Sequence, residues 1–161
     1  MNHNKNTGDV SLGKMKWLLF LLGTVKIPMI GFVRPKLVTL NDETSEIKIK
    51  LRRRSKNHLN SMYFGALAVG ADVSAGIHAF YFSKKMKRPV SFAFKSMSAE
   101  FLKRAESDIT FTSNQGAVVE AAMKSSAETG TRINKPVNVI ATDSSGELVA
   151  TFVLVVSVKV K

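Results

Sequence analysis

Strict alternation of apolar and basic residues marks a strand in the first third of the chain. Over residues 46–52, Ile47, Ile49 and Leu51 share one face, and the basic residues between them share the other. A period of two is typical of an antiparallel strand with one solvated face. The turn residues at 143–146 indicate a hairpin near the end of the chain. Four later segments have the composition of strands: 90–97, 107–113, 137–142 and 147–161.

Helical spacing of apolar positions predicts three helices. The longest covers residues 62–82, where many small residues permit close approach of neighbouring backbones. An apolar N-terminal helix is predicted over residues 14–25. A short inserted helix is predicted over residues 116–129, with Gly130 as its stop.

The remaining segments are predicted to be irregular. Residues 1–13 are polar and predict a flexible N-terminal tail. The prolines and glycine of 28–35 predict a loop, and the basic segment 84–89 predicts a turn. The element order therefore predicts one α+β domain over residues 14–161, an antiparallel sheet wrapped around one long helix. Because the sheet has few strands, we expect its edge to pair with a second copy.

Two apolar runs raise the question of a membrane segment. Residues 17–22 follow two lysines, as in a signal sequence, but Lys26 and Pro28 interrupt the run well short of a span. Residues 59–83 are longer, but Asp72 at their centre would cost about 2.5–3.5 kcal/mol on insertion. We therefore expect no membrane span, two helices that cover a core, and a cytoplasmic protein. A signal sequence is the alternative for the first run.

Charge and composition narrow the function classes. The 24 Lys and Arg against 12 Asp and Glu give a net charge of +12, which suits nucleic acid, an anionic membrane or a phosphate-bearing ligand. The charge is densest at 52–56 and 84–88, but no nucleic-acid motif surrounds either cluster, so no nucleic acid is expected. A solvated basic face is the simplest interpretation, and phosphate binding is the leading alternative. The absence of cysteine and the three histidines without a zinc motif argue against thiol and metal chemistry, so no metal or cofactor is expected.

Asp72 is the residue that stands out. It is the only Asp, Glu, Lys or Arg among the 27 residues between Lys56 and Lys84. A carboxylate on an apolar helix is costly unless it is paired or lies in a cleft, and loss of water would raise its pKa and make it a usable base. An exposed or locally hydrogen-bonded aspartate is the alternative.

The residues before the long helix predict an anion-binding helix start. Asn57 supplies a polar amide, and Ser61 is a natural N-cap. The Gly65 amide would then lie in the first turn, where free N–H groups and the helix dipole favour negative charge. Such a start near a half-buried carboxylate would support an oxyanion while water is activated.

These residues resemble a known family. Asn57, the segment 61–66 and Asp72 are similar to the central motif of hotdog-fold acyl-CoA thioesterases of the phenylacetate-degradation (PaaI-like) type. The resemblance covers the chain from about Leu18 to its end. The inserted helix at 116–129 resembles a domain-of-unknown-function branch of that superfamily.

The resemblance implies a hotdog fold and roles for individual residues. Asp72 would be the general base or nucleophile, Asn57 would orient water or the thioester, and the Gly65 amide would donate to the oxyanion. The family's His-Gly-Gly is here Tyr63-Phe64-Gly65, which places a bulky side chain where the family has a small one. Substrate contacts are expected from six residues: Ser61, Tyr63, Phe64, His58, Arg54 and Lys84.

The resemblance also implies the partners. An acyl-CoA or another acyl thioester would be the substrate, with coenzyme A present only as part of it. The chain would form a homodimer, or a tetramer by pairing of dimers, with one site shared between two chains. A non-catalytic module that binds an acyl group or coenzyme A is the alternative, because of Tyr63 and Phe64. A nucleic-acid-binding protein is a third and weaker alternative.

Overall fold

Over residues 10–161, the part of the chain that the computed structural model describes, six strands form one antiparallel sheet. The strands are β1 (Lys36–Leu40), β2 (Ser45–Ile49), β3 (Val90–Phe101), β4 (Ile109–Ser113), β5 (Ile133–Thr142) and β6 (Leu148–Val160). They lie in the order β1-β2-β4-β5-β6-β3. The edges differ, because β1 has five residues whereas β3 has 12.

Four helices accompany the sheet in the described residues. They are α1 (Leu12–Leu21), which continues as a π-helical turn over Leu22–Lys26, α2 (Pro28–Val33), α3 (Phe64–Met86) and α4 (Gly116–Thr129). The long helix α3 packs against β2 to β6, and α4 packs against β5, β6 and α3. The predicted antiparallel sheet around one long helix is therefore confirmed.

Small residues let α3 lie close to the sheet. A Cβ at Gly70 would overlap the Phe111 ring of β4, and a Cβ at Gly76 would overlap the Phe92 ring of β3. His78 is fully buried on α3, where its Nε2 lies 3.0 Å from the Asn41 carbonyl oxygen and its ring stacks on Phe82. His78 is therefore a core residue of α3.

The inserted helix and the hairpin agree closely with the sequence. Helix α4 covers the predicted residues, and Gly130 ends it in a left-handed conformation (φ 68°). At the hairpin, Asp143 Oδ1 accepts hydrogen bonds from the Ser145 and Glu147 amides, at 2.9 and 3.0 Å. Local turn chemistry was sufficient to place both features.

The predicted loop at 28–35 was wrong. Pro28 opens α2, since a proline at the first helical position gives up an N–H that has no partner there anyway. The left-handed Arg34 (φ 52°) ends α2, and β1 follows at Lys36. This strand escaped prediction because only Leu37 of its residues is buried, so no alternation is visible.

Other boundaries moved by a few residues. Strand β2 ends at Ile49, and Leu51 leaves the ladder to donate its amide to Asp108 Oδ1 at 3.0 Å. Lys84 and Lys85 belong to the last turn of α3, so the predicted basic turn begins only at Lys87. A basic last turn suits the negative end of the helix dipole.

The N-terminal helix begins earlier than predicted. Ser11 caps α1 by accepting the Lys14 amide at 3.3 Å, so Leu12 and Gly13 are helical rather than part of a tail. Residues 1–9 of the predicted tail lie outside the described residues. Within the described chain, none of the helices combines the length and apolarity that crossing a bilayer requires.

Candidate active site

Asp72 lies in the third turn of α3, where its carboxylate is half-buried in an apolar cavity of about 180 Å³. Burial raises the pKa of Asp72 to about 6. In the described part of the chain, no hydrogen bond or ion pair holds this carboxylate. The lining of the cavity is otherwise free of charged side chains: Leu19, Leu22, Ile27, Ile30, Val73, Gly76, Ile77, Phe80 and Phe92.

This environment suits a base. A carboxylate without partners keeps its lone pairs for a water proton or an electrophile, and a pKa near 6 leaves it ionised at pH 7. The prediction of a costly, half-buried carboxylate therefore agrees with the structure. The apolar lining also provides space for a hydrocarbon chain beside it.

Asn57 organises the loop that leads to α3. Its Oδ1 accepts the Leu59 amide at 2.9 Å and the Ser61 amide and hydroxyl at 3.2 Å each. Two backbone N–H groups need an acceptor, so this network fixes which end of the Asn57 side chain is oxygen. No hydrogen bond among the described residues uses its Nδ2, which remains as a donor for a ligand.

The start of α3 differs from the predicted cap. Tyr63 is the N-cap residue and makes no capping bond through its side chain, whereas the Ser61 hydroxyl bonds Asn57 instead. Ser61 was therefore wrong as a cap, because the Asn57 loop uses its hydroxyl. The chain is held by backbone bonds from the Tyr63 amide to Ser55 at 2.8 Å and from the Met62 amide to Ala105 at 2.7 Å.

Gly65 lies in the first turn of α3, as predicted. The first turn of a helix presents amides without intrahelical acceptors, a suitable position for an oxyanion. The Tyr63 ring packs directly against the Gly65 Cα, so that a Cβ there would overlap it. Phe64 is 60% exposed and contacts Tyr63 and Phe101, with ring centroids 4.8 and 6.4 Å apart. Aromatic rings therefore surround the predicted oxyanion site.

A groove of about 560 Å³ joins these residues. Asn57 and exposed His58 lie in it, together with Ser61, Tyr63 and Phe64. The structure thus brings five of the predicted site residues together. The far side was missed by sequence reasoning: Phe101, Leu102, Lys103, Arg104 and Ala105. Their position a few residues after the strand predicted at 90–97 was the one available signal.

Asp72 and Asn57 do not meet within one chain. Seven residues separate Gly65 from Asp72, so the two share a face of α3 but lie roughly 10 Å apart along the axis. The groove and the Asp72 cavity have no lining residue in common. A single chain therefore holds the Asp72 carboxylate and the Asn57 and Gly65 amides at two separate places, which we call half-sites.

Two of the expected substrate-contact residues, Arg54 and Lys84, lie away from the groove. The Arg54 guanidinium lies 5.5 Å from the Phe32 ring centroid and donates to the Phe32 carbonyl at 3.2 Å. Lys84 is exposed at the far end of α3, 20 residues and roughly 30 Å from Phe64. Its neighbour Lys85 is paired with Asp42. The two clusters do not flank one entrance within a chain.

Known proteins resemble this chain both in family and in fold. The model of the family DUF4442, described as a domain of unknown function, matches residues 15–158. No curated protein matches the sequence. Solved structures match over nearly the whole chain, and the predicted antiparallel sheet around a central helix is the hotdog fold that they share.

Three of these structures come from different organisms. A probable thioesterase of unknown function from Pseudomonas aeruginosa has a TM-score of 0.73 and 21% identity, covering 90% of this chain and 95% of that one. Zebra fish thioesterase superfamily member 2 has a TM-score of 0.66, 14% identity and coverages of 94% and 98%. A thioesterase from Haemophilus influenzae has a TM-score of 0.65, 11% identity and coverages of 92% and 90%. At these identities the likeness shows the fold.

Proposed function

The chain belongs to the DUF4442 family. From that premise and from the hotdog fold, we propose that it is a thioesterase that hydrolyses an acyl thioester such as an acyl-CoA. The observation that carries the proposal is the Asp72 carboxylate, half-buried beside an apolar cavity without a partner in the described chain. The names of the structural neighbours agree with this reaction class. We also place the activity in the cytoplasm, as the sequence leads us to expect.

The reaction needs a base and an oxyanion donor. Asp72 takes a proton from water, and the water oxygen attacks the thioester carbonyl. The C–S bond then breaks and the leaving sulfur takes the proton from Asp72, which gives a carboxylic acid and a thiol. Direct attack by the carboxylate, followed by hydrolysis of the anhydride, gives the same products. The Gly65 amide donates to the oxyanion, and the Asn57 Nδ2 holds water or the thioester.

A dimer would join the two half-sites. The free edge of β3 is 12 residues long, and an unprotected strand of this length is a template for pairing. Its inner-face residues Met97 and Phe101 pair with Leu154 and Ala150, which are buried, yet they are 41% and 51% exposed. We assign the β3 edge to a second copy, so that Asp72 of one chain faces Asn57 and Gly65 of the other. Pairing of two such dimers would give a tetramer.

Each half-site would hold one end of the substrate. The apolar side chains around Asp72 suit the acyl chain. Arg104 lies in the same groove as Asn57 and is suited to the phosphates of coenzyme A through charge-assisted hydrogen bonds. The neighbouring Lys103 is paired with Asp143 and Glu147. In a dimer, Arg54 and Lys84 would contact those phosphates only if the partner brings them to the same entrance.

A binding module without turnover is the second candidate function. The specific observation in its favour is the Tyr63 ring packed on Gly65, beside the exposed Phe64. Rings at this position occupy space that a thioester carbonyl would need in order to reach the Gly65 amide. Such a module would bind acyl-CoA and release no thiol.

A panel of acyl-CoA substrates separates the two candidates. Free thiol is measured as acyl length varies, with the wild type and Asp72→Asn side by side. Thiol release by the wild type that Asp72→Asn abolishes supports hydrolysis. Binding of acyl-CoA without thiol release in both proteins supports the binding module. Equal turnover by both proteins contradicts the role of Asp72.

A further inference from the structure

The N-terminal helices, Leu12–Val33, form a helical hairpin that is apolar on two opposite sides. Its inner side packs into the core through Met15, Leu19, Ile30 and Val33. Its outer side leaves large apolar side chains exposed, among them Trp17 at 60%, Val25 at 66% and Met29 at 63%. A helix that is apolar all round is ordinarily buried on all sides, so the outer side indicates a second apolar contact.

Both arms of the hairpin contribute exposed apolar residues to the outer side. The two arms of the hairpin meet at Gly23 and Gly31, where a Cβ on either residue would overlap the backbone of the other arm. The Trp17 and Phe20 rings stack with centroids 5.5 Å apart. Six exposed apolar residues define the surface, which we call the hairpin face: Trp17, Phe20, Val25, Ile27, Met29 and Phe32.

Basic residues accompany this face without any acidic residue. From Val10 to Leu40 the sequence contains no Asp or Glu. It contains five basic residues over the same span, each exposed: Lys14, Lys16, Lys26, Arg34 and Lys36. An apolar face with a tryptophan, on a segment whose charged residues are all basic, is complementary to an anionic lipid surface.

A cavity beside the hairpin has the same mixed character. It has a volume of about 720 Å³ and lies between the hairpin and β1. Leu19, Phe20 and Leu37 contribute apolar surface, and four basic side chains share the lining: Lys16, Arg34, Lys36 and Arg54. This combination suits an amphiphile with an anionic head group.

We propose that the hairpin face docks the protein on the surface of an anionic lipid bilayer. Helix α1 has ten residues and its π-helical continuation five, so together they extend roughly 22 Å, short of a hydrocarbon core of about 30 Å. The hairpin therefore lies in the interface, with its apolar side chains among the acyl chains and its basic side chains at the phosphates. Helix α1 contacts β1, which is one edge strand of the sheet, and β3 is the other edge strand. The proposal stands independently of thioester hydrolysis.

Trp17 provides a direct probe, because it is the only tryptophan in the chain. The full chain is titrated with vesicles of phosphatidylcholine alone and of phosphatidylcholine with phosphatidylglycerol, at low and at high salt. We expect a blue shift of Trp17 emission only with the anionic vesicles at low salt. Brominated lipids should quench the Trp17 emission most strongly when the bromine lies about 5–10 Å below the head groups. An unchanged spectrum with anionic vesicles, or an equal shift with neutral ones, overturns the proposal.

Two variants test which residues act. Lys16→Glu with Lys26→Glu should weaken vesicle partitioning by at least about 25-fold, since each basic side chain near the surface contributes about fivefold. Lys135→Glu with Lys159→Glu makes the same change in net charge on β5 and β6, and it should weaken partitioning far less. An equal loss in both would show attraction by net charge alone and overturn docking by this face.

The apolar contribution is tested separately. Val25→Ser with Met29→Ser keeps Trp17 as the probe and alters only exposed side chains, so folding should be preserved. Partitioning should fall by about tenfold or more. Sedimentation of this variant without lipid distinguishes a protein contact. If it dissociates an oligomer while vesicle partitioning is unchanged, the face binds a second copy and the proposal is wrong.

Discussion

The two half-sites of this protein differ in what they lack. The Asp72 cavity holds a carboxylate among apolar side chains and has no hydrogen-bond donor beside it. The groove at the start of α3 has the Asn57 amide and two basic side chains, and it contains no carboxylate. Each contains what the other needs for acyl transfer. One chain folds both halves, and under the proposed function a second chain would bring them together.

The largest expected effect is the loss of the base. Asp72→Asn keeps the size of the side chain and removes its charge, so turnover should fall by 10² to 10⁴-fold, roughly 3–5 kcal/mol of barrier. Thiol release from acyl-CoA measures it. Glu128→Gln, an exposed carboxylate on α4, is the matched control and should leave turnover unchanged. Retention of turnover by Asp72→Asn would remove the catalytic role of the Asp72 half-site.

The other half-site is tested by Asn57→Asp. The new side chain keeps an oxygen to accept the Leu59 and Ser61 amides, so the loop should persist, while the Nδ2 donor is lost. Turnover should fall by about 10 to 100-fold, in line with loss of one positioned hydrogen bond. The thermal unfolding temperature of the variant shows whether the loop and the fold are preserved. A variant that is fully active and folded would show that the donor is unnecessary.

The seam between the halves is tested by Met97→Lys on β3. A lysine there costs the isolated chain little, because the side chain is 41% exposed. In a dimer it would bury a charge, so the dissociation constant should rise at least about tenfold. Sedimentation velocity measures it, with Ile140→Lys, 43% exposed on central strand β5, as the control. Equal self-association of both variants would exclude the β3 edge as the interface.

The smallest effect concerns stability and pH. Because burial raises the Asp72 pKa from 3.8 to about 6, the folded state binds its proton more tightly than the unfolded state. The proton stabilises the fold below pH 3.8, and this stabilisation is lost as pH rises to about 6. Asp72→Asn should therefore be more stable than the wild type at pH 8, and not at pH 3.5.

The gain in the free energy of unfolding at pH 8 depends on the surroundings of the Asp72 carboxylate. Two pKa units correspond to about 3 kcal/mol, and remaining solvent exposure reduces the expected gain to roughly 1 kcal/mol. Denaturant unfolding at the two pH values measures it. A variant less stable than the wild type at pH 8 would mean that the Asp72 carboxylate has a stabilising partner.

The fold could be predicted from the sequence more completely than the site. Helix α4, its Gly130 stop and the hairpin at 143–146 follow from local chemistry, and helix α3 from its small-residue spacing. Helix α2 escaped prediction because a proline at a helix start resembles a loop. Strand β1 escaped prediction because few of its side chains are buried. The Ser61 cap was wrong because the Asn57 loop uses the hydroxyl.

The site could be predicted only where residues share an element. Asn57, Ser61, Tyr63 and Phe64 are close in the chain and meet in one groove. Lys103 and Arg104 reach that groove from the end of β3, a juxtaposition that depends on tertiary packing. The cavity around Asp72 depends on Leu19 and Phe92, which are far from it in sequence.

Mixed dimers test the shared site most directly. Asp72→Asn and Asn57→Asp proteins are combined and allowed to exchange subunits, and mass spectrometry of intact assemblies confirms that heterodimers form. In a shared site each heterodimer has one pairing of Asp72 from one chain with Asn57 from the other, and a second pairing that carries both substitutions. We therefore predict that the mixture recovers about a quarter of wild-type thiol release, since random exchange makes half the dimers mixed. Heterodimers with no activity beyond that of the parent variants would contradict a site built from two chains.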